Sequence, residues 1–251
     1  MEISVSVIVH NEAEKLKGLL DNLKGFASEI VVVDCESDDG AEGLLKNYPV
    51  RYFKRPNDFN LNRNKQFGIE QCTKDWIIYI DPDERISDVL KQEIREKTAC
   101  PDYSSFEMPR RNHILGKPLR FGGHYPDRQL RLFRKGTAHF PCVHVHEKLK
   151  VKGLAGLLKE PMDHYPYPTV GDFLKKLAFY SEFQAKYLLE ENARITFISL
   201  VVKPCFRFTR RLILKGGILD GIPGIISIFF DFAHQVVSQA RLWELKKSQD
   251  D

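Results

Sequence analysis

The chain has 251 residues, a formal net charge of +4 and a hydrophobic content of 43%. That composition supports a packed core and excludes a disordered or collagen-like chain. Five scattered cysteines with no CxxC pair exclude a disulfide framework and a zinc ribbon, and they favour a reducing cytosolic compartment. The small net charge and the absence of a recognised nucleic-acid-binding module argue against nucleic acid as a partner.

The first hundred residues alternate short β-branched runs with helical patterns, which is typical of a parallel sheet with crossover helices. The strands are expected at 3–9, 30–33, 50–53 and 76–80, and the helices at 14–26, 44–45 and 61–71. The fold class is therefore expected to be α/β, with a Rossmann-like, mostly parallel sheet. Ligands of such sheets bind in the crevice at the carboxyl ends of the strands.

The pattern changes after the first hundred residues. From about residue 100 to 159 the segments are short, aromatic and punctuated by Gly and Pro, which indicates mixed β-strand and loop. From residue 169 the sequence is helical, with later helices expected at 195–214 and 223–243. We therefore expect a catalytic domain over 1–165 and a helical extension over 166–251. No signal peptide and no apolar run of about 20 residues is evident, so no spanning helix is expected.

Polar side chains follow three of the predicted strands: Asn11 and Glu12 the first, Asp34 the second, and Asp81 and Asp83 the fourth. Asp34 stands where a doubly wound fold offers a carboxylate to a ribose hydroxyl or to a base edge. No GxGxxG follows the first strand, which argues against a dinucleotide and favours a mononucleotide.

Asp81 and Asp83 are two residues apart, so in extended chain both carboxylates lie on the same side. Hard oxygen ligands in this arrangement suit Mg²⁺ or Mn²⁺, which would bridge the two phosphates of a nucleoside diphosphate. The alternative is structural: Asp-Pro opens a turn and Asp83 caps the next helix.

Three segments together carry a resemblance: HNE at 10–12, VVVDCESDDG at 31–40 and YIDPDER at 79–85. In order and spacing they resemble the nucleotide-sugar half of family 2 glycosyltransferases with the GT-A fold. Three further segments, FGGHYPDRQLRLFRKG at 121–136, VHEKL at 145–149 and LDG at 219–221, resemble a narrower bacterial group. That group adds a glucose-type sugar to the inner core of lipopolysaccharide. Cys35 departs from the pattern, where a small or hydroxyl residue is expected.

The resemblance implies roles for the residues at the strand ends. Asn11 and Glu12 would hold the nucleotide, Asp34 would contact the uracil, and Asp81 and Asp83 would serve the ribose and the metal. A carboxylate can accept the N–H of a uracil, and a metal ion neutralises charge on a departing diphosphate, so the chemistry agrees with these roles.

Arg63 and Lys65 lie at the start of the helix before the fourth strand and are expected to reach the phosphates or the base. The alternative is a solvated helix start. Arg131 lies in the alternating run RQLRLFR, where a strand would place it on one face with Phe133. We expect arginines in this run either to bind phosphate or to form surface ion pairs.

The acceptor hydroxyl needs a general base, and the candidates are Asp127, after a Gly-Gly-His-Tyr-Pro loop, and Glu147 in VHVHE. His146 is expected to complete the shell of the donor metal or to orient the phosphate. If VHVHE is extended, Cys142, His144 and His146 share a face, which leaves a zinc site as an alternative to a core or loop role.

The expected activity is inverting transfer of a hexose, glucose by resemblance alone, from a UDP-sugar to a lipid-linked inner-core saccharide, with Mg²⁺ or Mn²⁺. Five basic residues and no acidic residue lie between Lys203 and Lys215, beside apolar helices. This pattern favours a cytoplasmic enzyme peripheral on the inner leaflet, with packing on the catalytic domain as the alternative. A peptide or protein acceptor, and a catalytically silent nucleotide- or membrane-binding module, remain competing functions.

Overall fold

The computed structural model describes residues 2–58, 60–99, 102–143 and 147–250, with side chains as far as residue 248. The chain divides into two compact units, Met1–Arg110 with Arg128–His164, and Arg111–Asp127 with Tyr165–Asp251. Unlike the division expected after residue 165, this one groups Arg111–Asp127 with the C-terminal helices. The reason is hydrogen bonding: the Gly122 amide donates to the Lys215 carbonyl at 2.8 Å, and the Phe121 amide to the Asp220 carboxylate at 2.8 Å.

The strands and helices are numbered in chain order. They are β1 (Ile3–Val9), α1 (Ala13–Leu23), β2 (Glu29–Asp34), α2 (Ala41–Leu45), β3 (Arg51–Lys54), α3 (Leu61–Gln71), β4 (Trp76–Ile80), β5 (Glu84–Arg85), α4 (Asp88–Thr98), β6 (Ser105–Ile114), β7 (Lys117–Pro118), β8 (Asp127–Arg134), β9 (Ala138–His139), β10 (Lys150–Val151), β11 (Ala155–Leu157), β12 (Met162–Tyr167), α5 (Val170–Glu190), α6 (Lys203–Thr209) and α7 (Gly221–Asp250). The expected bounds of β1, α3 and β4 agree with the structure.

The main sheet has the strand order β3-β2-β1-β4-β8-β6-β12-β5. Strands β3, β2, β1 and β4 are parallel, whereas β8 is antiparallel to β4 and β12 is antiparallel to β5. In the register, Val9 pairs with Asp34 and Val7 with Ile80, so β1, β2 and β4 end at the same edge. The polar residues that follow these strands are therefore collected along one edge of the sheet.

Helices cover both faces of the sheet in the first unit. Successive strand side chains point to opposite faces, so Val32 packs in the core with Leu19 of α1, and Val31 packs in the other core with Ile69 of α3. Full burial of one such side chain stabilises the fold by about 1.5–3 kcal/mol. This two-sided burial explains why the strands are continuously apolar, and it confirms the expected α/β class.

The second unit is helical. Helix α5 begins with a capping box in which Thr169 and Asp172 exchange side-chain and backbone hydrogen bonds. Ahead of α7 lie a π-helical turn at Ile198–Val202, α6, a second π-helical turn at Arg210–Leu214 and a 3₁₀ turn at Gly217–Asp220. The rings of Tyr167, Phe173 and Phe230 stack in sequence, with centroid separations of 3.9 and 4.5 Å.

Helix α7 is longer than the C-terminal helix expected at 223–243. The helical stretch Gly217–Ser248 is long and apolar enough to cross a membrane by length and composition alone, and 28% of its most apolar window is buried. Pro223 does not interrupt it because it lies in the first turn, where its missing N–H breaks no hydrogen bond within the helix. Core helices of soluble proteins meet the same criterion.

Candidate active site

The loop after β2 is joined to the start of α1 by side chains at the sheet edge. Asn11 adopts a left-handed backbone (φ 54°), which asparagine tolerates better than most residues. Its amide donates to Ser37 Oγ at 3.0 Å, and its side-chain oxygen accepts from the Asp38 amide at 2.8 Å. Glu12 pairs with Lys15 at 2.7 Å. Asn11 therefore shapes the loop in which the nucleotide is expected to bind.

Asp34 ends β2 and is fully buried. One of its carboxylate oxygens accepts the Ser37 amide at 2.9 Å, and the other accepts the Tyr52 hydroxyl at 3.0 Å. Because the Asp34 side chain has no exposed surface, a direct contact with uracil requires the residues around it to move. Burial and then the hydrogen bond to Asp34 raise the pKa of Tyr52 to about 12, so this hydroxyl remains a donor at neutral pH.

Asp81, directly after β4, lies between two cations. Lys65 Nζ is 3.2 Å from one carboxylate oxygen, and Arg131 Nη2 is 2.8 Å from the other. Arg131 also bonds to buried Glu84 at 2.7 Å, and its guanidinium lies over the Tyr79 ring. Burial raises the pKa of Asp81, but Lys65 and Arg131 outweigh it and hold that pKa well below its usual range. The carboxylate is thus fixed in position and ionised.

Asp83 is paired with a residue from a distant strand. Its Oδ1 lies 3.5 Å from Nε2 of His164, because β12 runs beside β5. Among the described residues, no group of three or more His, Cys, Asp or Glu side chains lies close enough to hold a metal. Mg²⁺ is commonly held by one or two carboxylates together with substrate phosphates. Asp83 and His164 supply one carboxylate and one imidazole at this place.

The start of α3 faces the same edge. Lys65 contacts Asp81, as described, whereas Arg63 pairs with Asp58 at 3.2 Å. Cys35 follows Asp34 and is buried, with Asn64 Nδ2 at 3.2 Å from its sulfur. Burial is the main cause that raises the pKa of this thiol to about 11. Cys35, which departs from the family pattern, therefore places a neutral thiol in the core, where it contacts α3.

The two candidates for the general base belong to different units. Asp127 lies in the second unit, where Asn112 Nδ2 is 3.4 Å from its Oδ2. Glu147 lies in the first unit, where its Oε2 accepts the Val143 amide at 2.9 Å. His144 and His146 lie outside the described residues, so the expectations for His146 and for the zinc alternative stay predictions. The third zinc candidate, Cys142, accepts a hydrogen bond at its backbone carbonyl from Asn60.

The sequence patterns missed the roles of Arg131, Glu84 and His164. Arg131 was expected either to bind phosphate or to form a surface ion pair, but it is buried and bonded to two carboxylates. Its place between Leu130 and Leu132 was the available signal, because a charge on a strand face shared with a buried Phe needs a partner. His164 carried no comparable local signal, since its contact depends on pairing between strands far apart in the sequence.

The GT-A architecture has solved counterparts. The fragment 1-349 of TarS from S. aureus, solved in complex with UDP, aligns over 100% of this chain and 92% of its own, with a TM-score of 0.51 and 14% identity. The mannosyltransferase PcManGT from Pyrobaculum calidifontis, solved with GDP-Man and Mn²⁺, aligns over 96% of this chain and 87% of its own, with a TM-score of 0.55 and 12% identity. These likenesses establish the fold.

Sequence comparison agrees with the fold. The lipopolysaccharide core biosynthesis glycosyltransferase LpsC of Rhizobium meliloti is 27% identical over 257 aligned positions, which cover 97% of this chain and 93% of LpsC. The model of glycosyl transferase family 2 matches residues 4–147, more than half of the 251 residues. The chain therefore belongs to glycosyl transferase family 2.

Proposed function

We propose that this glycosyltransferase moves a hexose, glucose in our assignment, from a UDP-sugar to a saccharide of the lipopolysaccharide inner core, with inversion at the anomeric carbon. The observation that carries the proposal is the similarity to LpsC, which extends along nearly the whole of both chains and includes the helical second unit. A similarity confined to residues 4–147 would support only a family 2 catalytic domain.

In this proposal the donor binds at the carboxyl ends of β1, β2 and β4. Asn11, Glu12 and Asp34 hold the nucleoside, and Arg63 and Lys65 approach the diphosphate. The support is geometric: α3 presents the Lys65 ammonium at the same edge as Asp81, 3.2 Å from its carboxylate. Because Arg131 pairs with Asp81 as well, Lys65 can turn to a phosphate without leaving that carboxylate without a cation.

Asp83 is proposed to hold the divalent cation, Mg²⁺ or Mn²⁺, and Asp81 to bind the donor. Both oxygens of Asp81 face cations. His164 lies beside Asp83, with Nε2 3.5 Å from Oδ1, and a neutral imidazole coordinates metal. His164 takes the ligand position beside Asp83, and His146 is a further candidate. The cation, when bound, stabilises the negative charge that develops on the departing diphosphate.

Inversion requires a single displacement. One carboxylate, Asp127 or Glu147, removes the proton from the acceptor hydroxyl. At the same time the oxygen of that hydroxyl attacks the anomeric carbon, and the bond from this carbon to UDP breaks. We further propose that the enzyme works in the cytoplasm at the inner face of the membrane, because inner-core saccharides are carried on a lipid.

The test is UDP release from a panel of UDP-hexoses, with and without Mn²⁺ or Mg²⁺, using heptose-containing core oligosaccharide as acceptor. We expect metal-dependent release from one donor that rises when the acceptor is added. Asp83→Asn should abolish the metal-dependent release of UDP. The control Asp88→Asn, which changes a carboxylate whose side chain is 95% exposed, should retain this release. Turnover only with a peptide acceptor would replace the acceptor assignment, and binding without turnover of any donor would refute an active transferase.

A further inference from the structure

Exposed apolar side chains are concentrated between residues 197 and 229. Twelve large apolar side chains there are more than a third exposed in the described structure: Phe197, Ile198, Val201, Val202, Phe206, Ile213, Leu214, Ile218, Leu219, Ile222, Ile225 and Phe229. Soluble proteins rarely leave a contiguous apolar surface of this kind uncovered, and such patches mark protein or membrane contacts. We call the segment Phe197–Leu219 the apolar-basic segment.

The charges of the apolar-basic segment have one sign. It contains Lys203, Arg207, Arg210, Arg211 and Lys215 and no acidic residue. In the part of the chain that the structure describes, Lys203, Arg210 and Lys215 form no salt bridge. Residues three or four apart share a helix face, so Lys203, Arg207 and Arg210 lie along the same side as exposed Phe206. Apolar and cationic side chains therefore lie on the same exposed side of this segment.

A cavity of about 290 Å³ lies on this side of the second unit. It is lined by Ser199, Lys203, Phe206, Arg207, Gln235 and Gln239. Two hydrogen bonds join residues of this lining: Arg207 Nη1 donates to the side-chain oxygen of Gln235 at 3.3 Å, and Ser199 Oγ donates to the side-chain oxygen of Gln239 at 3.2 Å. Its volume is at the small end of the range of about 300–1,000 Å³ for small-molecule sites, which suits a headgroup rather than a nucleotide sugar.

We propose that the apolar-basic segment docks on an anionic lipid bilayer and that the cavity between Lys203, Arg207 and Gln235 receives a phosphate of a lipid headgroup. The proposal rests on the proposed location at the membrane and specifies its surface. Charge complementarity selects the bilayer over a second copy of this chain, because two copies meeting at this face would bring their cations together. Phe206, Ile213 and Leu214 enter the headgroup region, and the basic side chains contact the phosphates.

The surroundings of Arg207 support an anion at this place. Burial and then the positive charge of the neighbouring Arg207 lower the pKa of Arg211. Arg211 is paired with Asp231, whereas Arg207 is left with a neutral amide oxygen. A phosphate beside Arg207 and Lys203 would supply the missing negative charge.

Co-sedimentation of the full chain with vesicles tests the proposal. We expect binding to phosphatidylcholine vesicles that contain phosphatidylglycerol, weak binding to pure phosphatidylcholine, and weakening by salt. Each basic residue near an anionic membrane contributes about 1 kcal/mol, so reversing both charges in K203E/R207E should lower the partition coefficient at least about tenfold. The matched control K46E/K97E reverses two exposed lysines of the first unit and should bind like the wild type.

The apolar contribution has its own variants. Phe206 and Ile213 are 63% and 64% exposed, and Val89 and Leu154 of the first unit are 61% and 60% exposed. F206S/I213S should lose binding to phosphatidylglycerol vesicles, whereas V89S/L154S should keep it. Alkaline carbonate should release the bound wild-type protein, because an interfacial segment, unlike a spanning helix, leaves the membrane without detergent.

Four results would overturn docking through this segment: equal binding of K203E/R207E and wild type, equal binding to pure phosphatidylcholine, resistance to carbonate, or a dimer in solution that F206S/I213S dissociates. Failure of the proposed function is separable, because UDP release with soluble core oligosaccharide needs no membrane. A protein that binds vesicles but releases no UDP keeps the docking surface and loses the transferase assignment. A protein that releases UDP but does not bind vesicles refutes the docking surface and leaves the transferase assignment intact.

Discussion

Arg131 and Asp81 form an ion pair 2.8 Å long that joins β8 to the end of β4. The same guanidinium bonds to Glu84, whose carboxylate accepts the Asp81 amide at 2.9 Å and also faces Arg110 at 3.3 Å. Asp81 is therefore held at its side chain and at its backbone by one buried network. Such support preorganises the carboxylate for the donor-binding role proposed above, because its rotamer does not have to be fixed when a ligand binds.

Removing the cation from this network should destabilise the protein. Arg131→Met removes the closer cation of buried Glu84, at 2.7 Å, and leaves Arg110 at 3.3 Å; breaking a buried ion pair costs about 3–5 kcal/mol. Urea unfolding should show a lower midpoint for this variant. Arg128→Met, at an exposed position of the same strand, is the control and should change stability little. Arg131→Met combined with Glu84→Gln should recover part of the loss, and no recovery would contradict a charge-based role.

The choice of base can be decided by amide substitutions. Asp127→Asn and Glu147→Gln preserve shape and remove the proton acceptor, so the variant that lacks the base should lose about 10²–10⁴ of the transfer rate. The other variant should retain most of it. UDP-sugar affinity, measured by calorimetry, should be unchanged in the inactive variant. If both variants transfer at the wild-type rate, neither residue is the base.

Asp220, the aspartate of the LDG motif, should matter for stability. Its buried carboxylate accepts the amides of Arg120 and Phe121 at 3.1 and 2.8 Å, and its carbonyl accepts from Lys117 at 2.7 Å. Asp220→Ala removes the charged acceptor of these two amides, and a hydrogen bond to a charged group contributes about 1.5–3 kcal/mol. Thermal unfolding should show a clear decrease for this variant. Glu191→Ala, on the exposed surface of the same unit, should leave the midpoint unchanged.

His124 should make stability depend on pH. Burial and then Arg211 lower its pKa to about 4 from an ordinary value of 6.5. The unfolded state therefore binds more protons between these values, so the free energy of unfolding falls as pH decreases from 6.5 towards 4. One such group contributes a slope of at most about 1.4 kcal/mol per pH unit. His124→Gln should show a smaller slope between pH 6.5 and 5 in urea unfolding. An unchanged slope would mean that His124 titrates alike in both states.

The local patterns of the sequence were sufficient for the parallel part of the sheet. Continuous apolar runs predicted β1 and β4, and the polar residues after them marked the edge where Asn11, Asp34 and Asp81 lie. Helix α1 ends at Leu23 rather than at residue 26, because the chain turns at Gly25 with φ 71°. No local sequence pattern indicated that Arg111–Asp127 belongs to the second unit.

The sequence by itself determined the family and the carboxylates at the strand ends, because both depend on short segments whose order and spacing persist along the chain. Only the tertiary structure decided what these carboxylates contact. Arg131 reaches Asp81 because β8 runs antiparallel beside β4, and His164 reaches Asp83 because β12 runs beside β5. Such pairings join residues 50 and 81 positions apart, and no periodicity within a single strand specifies them.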